Sequence, residues 1–145
     1  MNLFSAMEIT ASGLHAQRTR MNVLSSNLAN ARTTRTAEGG PYQRLDPVFE
    51  AVPVATRFAD LVRDPGANDA YVVEVNEIRA DDSPPQEVYD PTHPDADERG
   101  FIQLPNVNVV EEMVNLITAS RAYESAVTVM QSIKGMARSA LDIGA

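Results

Sequence analysis

The sequence predicts an α+β protein in which two long terminal helices pair as a coiled-coil-like helical domain, with a small β-rich module between them. Near both ends of the chain, apolar residues recur at alternating steps of three and four, the spacing of one helix face. All nine prolines lie between Pro41 and Pro105, and proline is almost excluded from helix interiors. We therefore divide the chain into a helix within 1–32, a middle over 33–105 and a helix within 106–145.

The N-terminal helix is predicted to end near Asn30. Serine, asparagine and threonine crowd the segment 25–34, and their side chains compete for backbone hydrogen bonds and so favour caps and turns. Taken alone, this segment indicates no more than the end of a helix. The helix has an apolar face that we predict to contact other subunits through Leu3, Met7, Leu14, Met21 and Leu28.

The C-terminal helix is predicted over 108–141. Asn108 is a good N-cap, Glu111 stands three residues later where it can complete a capping box, and Glu111 and Glu112 suit the positive end of the helix dipole. The helix would be about 50 Å long at 1.5 Å per residue, longer than a compact domain of this chain length is wide. Much of its apolar face must therefore meet something else. The predicted contacts are Met113, Leu116, Tyr123, Val127, Met130, Ile133 and Leu141.

The middle of the chain is predicted to form short strands separated by turns. Candidate strands are 42–49, 52–58, 71–78, 88–89 and 101–104, where β-branched and aromatic residues occur between prolines and glycines. Few aromatic residues are available to build a core, so this module would be marginally stable alone.

Charge and composition exclude several classes of function. The net charge is −8, and residues 46–100 carry four basic and fourteen acidic residues, which argues against nucleic acid as the main partner. The chain has no cysteine, which excludes disulfides and thiolate metal sites. No apolar run approaches the roughly 18 residues of a membrane span. The first residues lack a basic region followed by an apolar core, so we expect no cleaved secretory signal.

The loop 90–98 is the strongest candidate for a metal site. It gathers Asp90, His93, Asp95, Asp97 and Glu98 within nine residues. The spacing differs from that of an EF-hand loop, and two prolines stiffen the segment. The favoured interpretation is a rigid, solvated turn. We therefore predict no metal site, no cofactor and no catalytic residue, and His15 is expected to be solvated.

Several short motifs occur in order along the chain. They are Ser-Asn-Leu-Ala-Asn-Ala at 26–31 followed by two threonines, Glu-Gly-Gly-Pro-Tyr at 38–42, Val-Tyr-Asp-Pro at 88–91, Pro-Asn-Val-Asn at 105–108, Ala-Ser-Arg-Ala-Tyr-Glu at 119–124 and Leu-Asp-Ile-Gly at 141–144. In these motifs the chain resembles the flagellar rod and hook proteins, most closely the subunits of the proximal rod. The residues that carry the resemblance include Asn27, Leu28, Ala29, Asn30, Thr33, Asn106, Asn108, Glu111, Arg121, Tyr123 and Glu124.

The resemblance implies a structural subunit of the flagellar basal body rather than an enzyme. Such a subunit would leave the cytoplasm through the flagellar type III export gate without a cleaved signal and polymerise into the periplasmic drive shaft. Its partners would be further copies of itself, other rod proteins and the basal-body adaptor near the membrane ring. Two alternatives stay open on the residues alone: a soluble helical adaptor that forms a discrete dimer, and a metal-binding protein that uses the loop 90–98.

Overall fold

The computed structural model describes residues 3–54 and 70–143. Within these residues there are two long helices, near the two ends of the chain, and four strands between them. The elements in order are α1 (Leu3–Ala29), β1 (Leu45–Pro53), β2 (Tyr71–Ala80), β3 (Gln86–Tyr89), β4 (Phe101–Leu104) and α2 (Val109–Ile143). This order confirms the α+β class.

Asparagine side chains bond to the backbone at the start of α2 and at the end of α1. At the start of α2, the Oδ1 atom of Asn108 accepts hydrogen bonds from the backbone N–H groups of Val110 at 3.1 Å and Glu111 at 3.4 Å. Asn108 is therefore the N-cap of α2, as predicted. At the end of α1, the side-chain amide of Asn30 donates to the Ser26 carbonyl at 2.9 Å. This bond supports the predicted helix end near Asn30.

The two helices pack against each other and run antiparallel. Asn27, in the last turn of α1, is hydrogen-bonded to Glu112, in the first turn of α2, and Ile133 far along α2 is still buried. The buried apolar residues of the pair are Ala16, Val23, Leu24, Ala119 and Ile133. Coiled-coil supercoiling of the pair stays a prediction.

The first sheet is an antiparallel pair that packs on α1. β1 and β2 align from Leu45 opposite Ala80 to Pro53 opposite Tyr71, with an irregularity between Val48 and Phe49. The predictions of separate strands at 42–49 and 52–58 were wrong for the described residues, because one continuous strand spans 45–53. The rest of the second candidate, 55–58, lies outside the described residues. The predicted strand 71–78 is confirmed, two residues longer, with Val72 as its buried side chain.

The second sheet pairs β3 with β4, also antiparallel, and includes both short strands predicted at 88–89 and 101–104. Gly100 precedes β4 with a φ of +81°, and a Cβ atom there would stand 2.9 Å from the Tyr89 ring. Glycine is therefore required for both conformation and space. The close approach allows Tyr89 and Phe101 to pack edge to face, with ring centroids 5.3 Å apart.

Candidate functional site

A buried polar junction lies where α1 ends, β1 begins and α2 begins. In the described part of the chain, the buried polar side chains are Asn27, at 0% exposure, and Glu112, at 1%. Burying such groups is costly unless they are hydrogen-bonded, so their partners decide whether the junction stabilises the fold.

Asn27 is the centre of the junction, and its amide group makes four hydrogen bonds. Its Nδ2 group donates to the Leu45 carbonyl at 2.8 Å and to Glu112 Oε2 at 3.2 Å. Its Oδ1 atom accepts from the Leu45 backbone N–H and from the Tyr42 hydroxyl, both at 2.9 Å. The full capacity of one side-chain amide therefore joins the last turn of α1 to the first residue of β1 and to α2.

Glu112 is held from the other side by Arg44. The guanidinium Nε of Arg44 donates to Glu112 Oε1 at 2.6 Å, and its Nη1 atom lies 3.8 Å from Asp81 Oδ2. Partial burial works to lower the pKa of Arg44, but the hydrogen bond and charge of Glu112, together with the charges of Asp46 and Asp81, raise the pKa above its ordinary value. Both carboxylate oxygens of Glu112 thus have a donor.

The chemistry of this junction is structural. In the described part of the chain, the side chains of Asn27 and Glu112 bond to each other and to neighbouring protein groups. The junction fixes the position at which α1, the strand β1 and α2 meet. We infer that its role is to hold the two terminal helices in a defined arrangement.

The sequence analysis did not identify the roles of Asn27 and Glu112 in this junction. Asn27 lies in a segment that indicated only a helix end, and Glu112 was assigned to the helix dipole. A usable signal was present: Glu112 precedes Leu116 and Ala119 by four and seven residues, which places a carboxylate on the face of α2 that packs on α1. A charged residue on a buried face calls for a partner elsewhere in the chain.

The aspartates of the loop 90–98 accept hydrogen bonds from neighbouring residues and from Thr34. Asp90 Oδ1 accepts from the Thr92 N–H and hydroxyl, and Asp97 Oδ1 accepts from the N–H groups of Arg99 and Phe101. Hydrogen bonding from Thr92 lowers the pKa of Asp90 below its ordinary value. Asp95 accepts a hydrogen bond from the Thr34 hydroxyl at 2.7 Å. Across residues 3–54 and 70–143, no group of three or more histidine, aspartate or glutamate side chains is placed to hold a metal ion.

The helix pair leaves two apolar patches exposed, one near each end. The patch at the first turns of α2, here called the head patch, comprises Val109, Val110, Met113, Val114 and Ile117, with exposures from 42% to 71%. The patch at the opposite end, here called the tail patch, comprises Phe4, Val129, Met136 and Leu141, with exposures from 50% to 78%. Val110, Met113, Val114 and Ile117 of the head patch share one face of α2, and a contiguous exposed apolar face of this kind is typical of an interaction surface.

The residues predicted as subunit contacts have three different environments. Met113 and Leu141 are exposed, and Ile133 is buried within the chain. The remaining ones are half-buried: Leu3, Met7, Leu14, Met21, Leu28, Leu116, Tyr123, Val127 and Met130. On α1 the predicted residues are all half-buried, beside the buried Val23 and Asn27, whereas on α2 one predicted residue, Ile133, is itself buried. Contact of the predicted residues with other subunits stays a prediction.

Neither described helix is long and apolar enough to cross a membrane.

Comparison with known proteins gives a consistent result along the chain. Residues 7–35 match the family model for flagella basal body rod proteins, and residues 98–143 match the C-terminal model of flagellar basal body rod FlgEFG proteins. The flagellar basal-body rod protein FlgC of Borreliella burgdorferi is 43% identical over 99% of this chain and 98% of its own length. That of Aquifex aeolicus is 44% identical over 86% and 84%, and that of Bacillus subtilis 41% over 99% of both chains.

Proposed function

Because the chain belongs to the FlgC family of flagellar basal-body rod proteins, we propose that it polymerises through its terminal helices into the proximal rod. It is a structural subunit of the flagellar basal body, and its relatives are rod proteins and not enzymes. In the proposed role, the rod is a periplasmic drive shaft that transmits torque from motor to hook. Torque is then borne by packed apolar surface and no covalent bond is broken.

The observation that carries this proposal is the exposure of the two apolar patches. Fully burying a valine, isoleucine, leucine or methionine side chain is worth about 1.5–3 kcal/mol, and the nine residues of the two patches are each at least 42% exposed. Covering them with neighbouring subunits would recover a large part of that free energy. The helix pair thus has a thermodynamic reason to associate beyond its own fold.

The proposed role in the rod assigns each part of the chain a function. We propose that residues 1–32 and 106–145 form the helical rod core and that residues 33–105 form a module outside it, which sets lateral contacts. The buried junction of Asn27, Arg44 and Glu112 would keep that module at a fixed position on the core. A fixed position matters because a filament repeats any error in one subunit at every contact.

The proposed partners are further copies of the chain, other rod proteins and the basal-body adaptor near the membrane ring. Export would proceed through the flagellar type III gate without a cleaved signal. A helix pair held largely by small and half-buried side chains suits that route, because isolated helices of this kind unfold readily.

The change Ile117→Asp tests the proposal in cells. Ile117 is 54% exposed, so the substitution should leave the isolated chain folded to within about 0.5 kcal/mol. In the rod it would bury a carboxylate against apolar surface, at a cost of several kcal/mol. We expect incorporation into purified basal bodies, measured by immunoblotting, to fall at least about tenfold, together with motility.

Two controls separate assembly from folding. Ile117→Val keeps the apolar surface and should assemble normally, and Ser125→Asp adds the same charge at an exposed position outside both patches. Normal basal-body content of the Ile117→Asp variant would refute the proposed assembly surface. A discrete soluble dimer of the wild-type chain that never enters basal bodies would instead support the helical-adaptor alternative.

A further inference from the structure

Each of the two described sheets has two strands, so all four described strands are edge strands. An edge strand carries N–H and C=O groups that point away from its partner, and these groups can pair with a strand of another molecule. In an antiparallel pair, successive residues point alternately toward the partner strand and away from it. The hydrogen bonds of the middle module show which residues point away.

The direction of the backbone groups of β1 follows from the hydrogen bonds at its two ends. The N–H of Val54 donates to the Ala70 carbonyl at 3.0 Å, and the N–H of Asp81 donates to the Arg44 carbonyl at 2.7 Å. The register shift inserts its extra residue in β2, so the alternation along β1 is unbroken. The odd-numbered residues from 45 to 53 therefore point away from β2.

The outer edge of β1 has few free donors. Pro47 and Pro53 stand at two of the outward positions and have no N–H to donate. Both backbone groups of Leu45 are already bonded to the Asn27 side chain. The open stretch of this edge is 49–51, which is as short as strands become. An N–H at position 53 would lengthen the open stretch to five residues, a common strand length.

The outer edge of β3 is limited by prolines at both ends. The N–H of Asp90 donates to the Gly100 carbonyl at 2.9 Å, so Glu87 and Tyr89 point away from β4. The next positions of the same alternation are Pro85 and Pro91.

Side chains and backbone irregularity interrupt the other two edges. On β4, the Phe101 N–H donates to Asp97 Oδ1 at 2.8 Å, and the Phe101 carbonyl accepts from the Asp97 N–H at 2.9 Å. On β2, the Val73 N–H donates to the hydroxyl of Ser12 in α1 at 3.2 Å, and the register shift breaks the alternation. Each of the four described edges is thus interrupted.

We propose that these interruptions prevent copies of the chain from pairing through their strands. The prolines remove donors from β1 and β3, and Asn27, Ser12 and Asp97 occupy backbone groups of β1, β2 and β4. Such protection matters for a chain that also has exposed apolar side chains, because open edges beside apolar surface favour aggregation. Contacts of the middle module with its neighbours are then made by side chains.

Restoring a donor at an outward position tests this inference with the full-length chain. Pro53→Thr opens the edge of β1, Pro85→Thr opens the edge of β3, and both prolines are exposed. One more backbone bond to each paired copy should raise the self-association constant at least about tenfold in sedimentation velocity. Thioflavin T fluorescence should rise with it, because this dye reports stacked strands. Association through helices would leave the fluorescence at the level of the wild type.

Two control variants separate an open edge from the loss of a proline. Pro84→Thr removes the neighbouring proline in the turn before β3 and should behave like the wild type. Ala51→Pro, added to Pro53→Thr, places a proline at another outward position and should restore the behaviour of the wild type. Circular dichroism checks that each variant is folded, and Pro53→Val replaces Pro53→Thr if that variant does not fold.

Either of two results would overturn the inference. One is that folded Pro53→Thr and Pro85→Thr variants associate and bind the dye no more than the wild type. The other is that Pro84→Thr aggregates as much as Pro85→Thr, since the loss of proline and not the open edge is then the cause. Neither result bears on the entry of the chain into basal bodies, so the proposed function is tested separately.

Discussion

Replacing Asn27 by alanine is expected to destabilise the chain by roughly 3 kcal/mol or more. The change removes four hydrogen bonds at a fully buried position and leaves the Leu45 N–H and carbonyl, the Tyr42 hydroxyl and one Glu112 oxygen without that partner. Each buried polar group left unsatisfied costs about 1–3 kcal/mol. Against a total stability of about 5–15 kcal/mol, this is a large fraction.

Urea denaturation measures this effect, and Asn22→Ala provides a matched control. Asn22 lies on the same helix but is exposed, so the same substitution there should change stability by no more than about 0.5 kcal/mol. The expected result is a lower midpoint for Asn27→Ala with an unchanged slope. Equal midpoints for the two variants would show that the junction does not hold the elements together.

Replacing Arg44 by methionine is expected to cause the second large loss of folding stability. The substitution keeps much of the side-chain volume but leaves Glu112, with a side chain only 2% exposed, as a buried charge without its cation. Removing one member of a buried ion pair typically costs about 3–5 kcal/mol. We expect urea denaturation to show a loss of that size in the free energy of unfolding. Adding Glu112→Gln should restore part of the lost stability, because the second change removes the unpaired charge.

Asp81 provides the internal comparison, since it contacts the same arginine. Its side chain is 31% exposed and lies 3.8 Å from Arg44, against 2.6 Å for Glu112. A solvent-screened ion pair of this length contributes little to stability, so Asp81→Asn should have little effect. An equal loss from Arg44→Met and Asp81→Asn would contradict the assignment of Glu112 as the principal partner.

The helices could be predicted from the sequence because their signals are local. Apolar spacing of three and four residues, the cap at Asn108 and the confinement of proline all act within a few residues along the chain. The two short strands of the second sheet were predicted for the same reason, since turn residues bound them closely. The break predicted between 49 and 52 was wrong because the backbone of β1 continues past it in register with β2.

The junction could not be predicted because it depends on contacts between distant positions. Asn27 and Glu112 are 85 residues apart, and neither helix alone shows which side faces the other. On α1, the side chains buried within the chain include Val23 and Asn27, whereas Leu14 and Met21, predicted to contact other subunits, are half-buried, and their contact with other subunits stays a prediction. A periodic pattern gives the width of an apolar face, whereas the partner helix decides which part of it is covered.

The chain has two kinds of surface, a buried polar junction and exposed apolar patches. Polar contacts fix the elements within one copy, and apolar side chains of the helix pair remain exposed. The polar contacts decide the geometry of the subunit, and in the proposed role the burial of the apolar side chains would provide the free energy of assembly.

Cysteine accessibility at Ile117 tests the assembly surface most directly, because the chain has no cysteine of its own. A single Ile117→Cys variant, treated with a hydrophilic maleimide, should react rapidly as a purified monomer and be protected in isolated basal bodies. Glu98→Cys, on the exposed loop of the middle module, should react in both states and serves as the control. Equal labelling of Cys-substituted position 117 in monomer and basal body would contradict the claim that this face is covered by a neighbouring subunit.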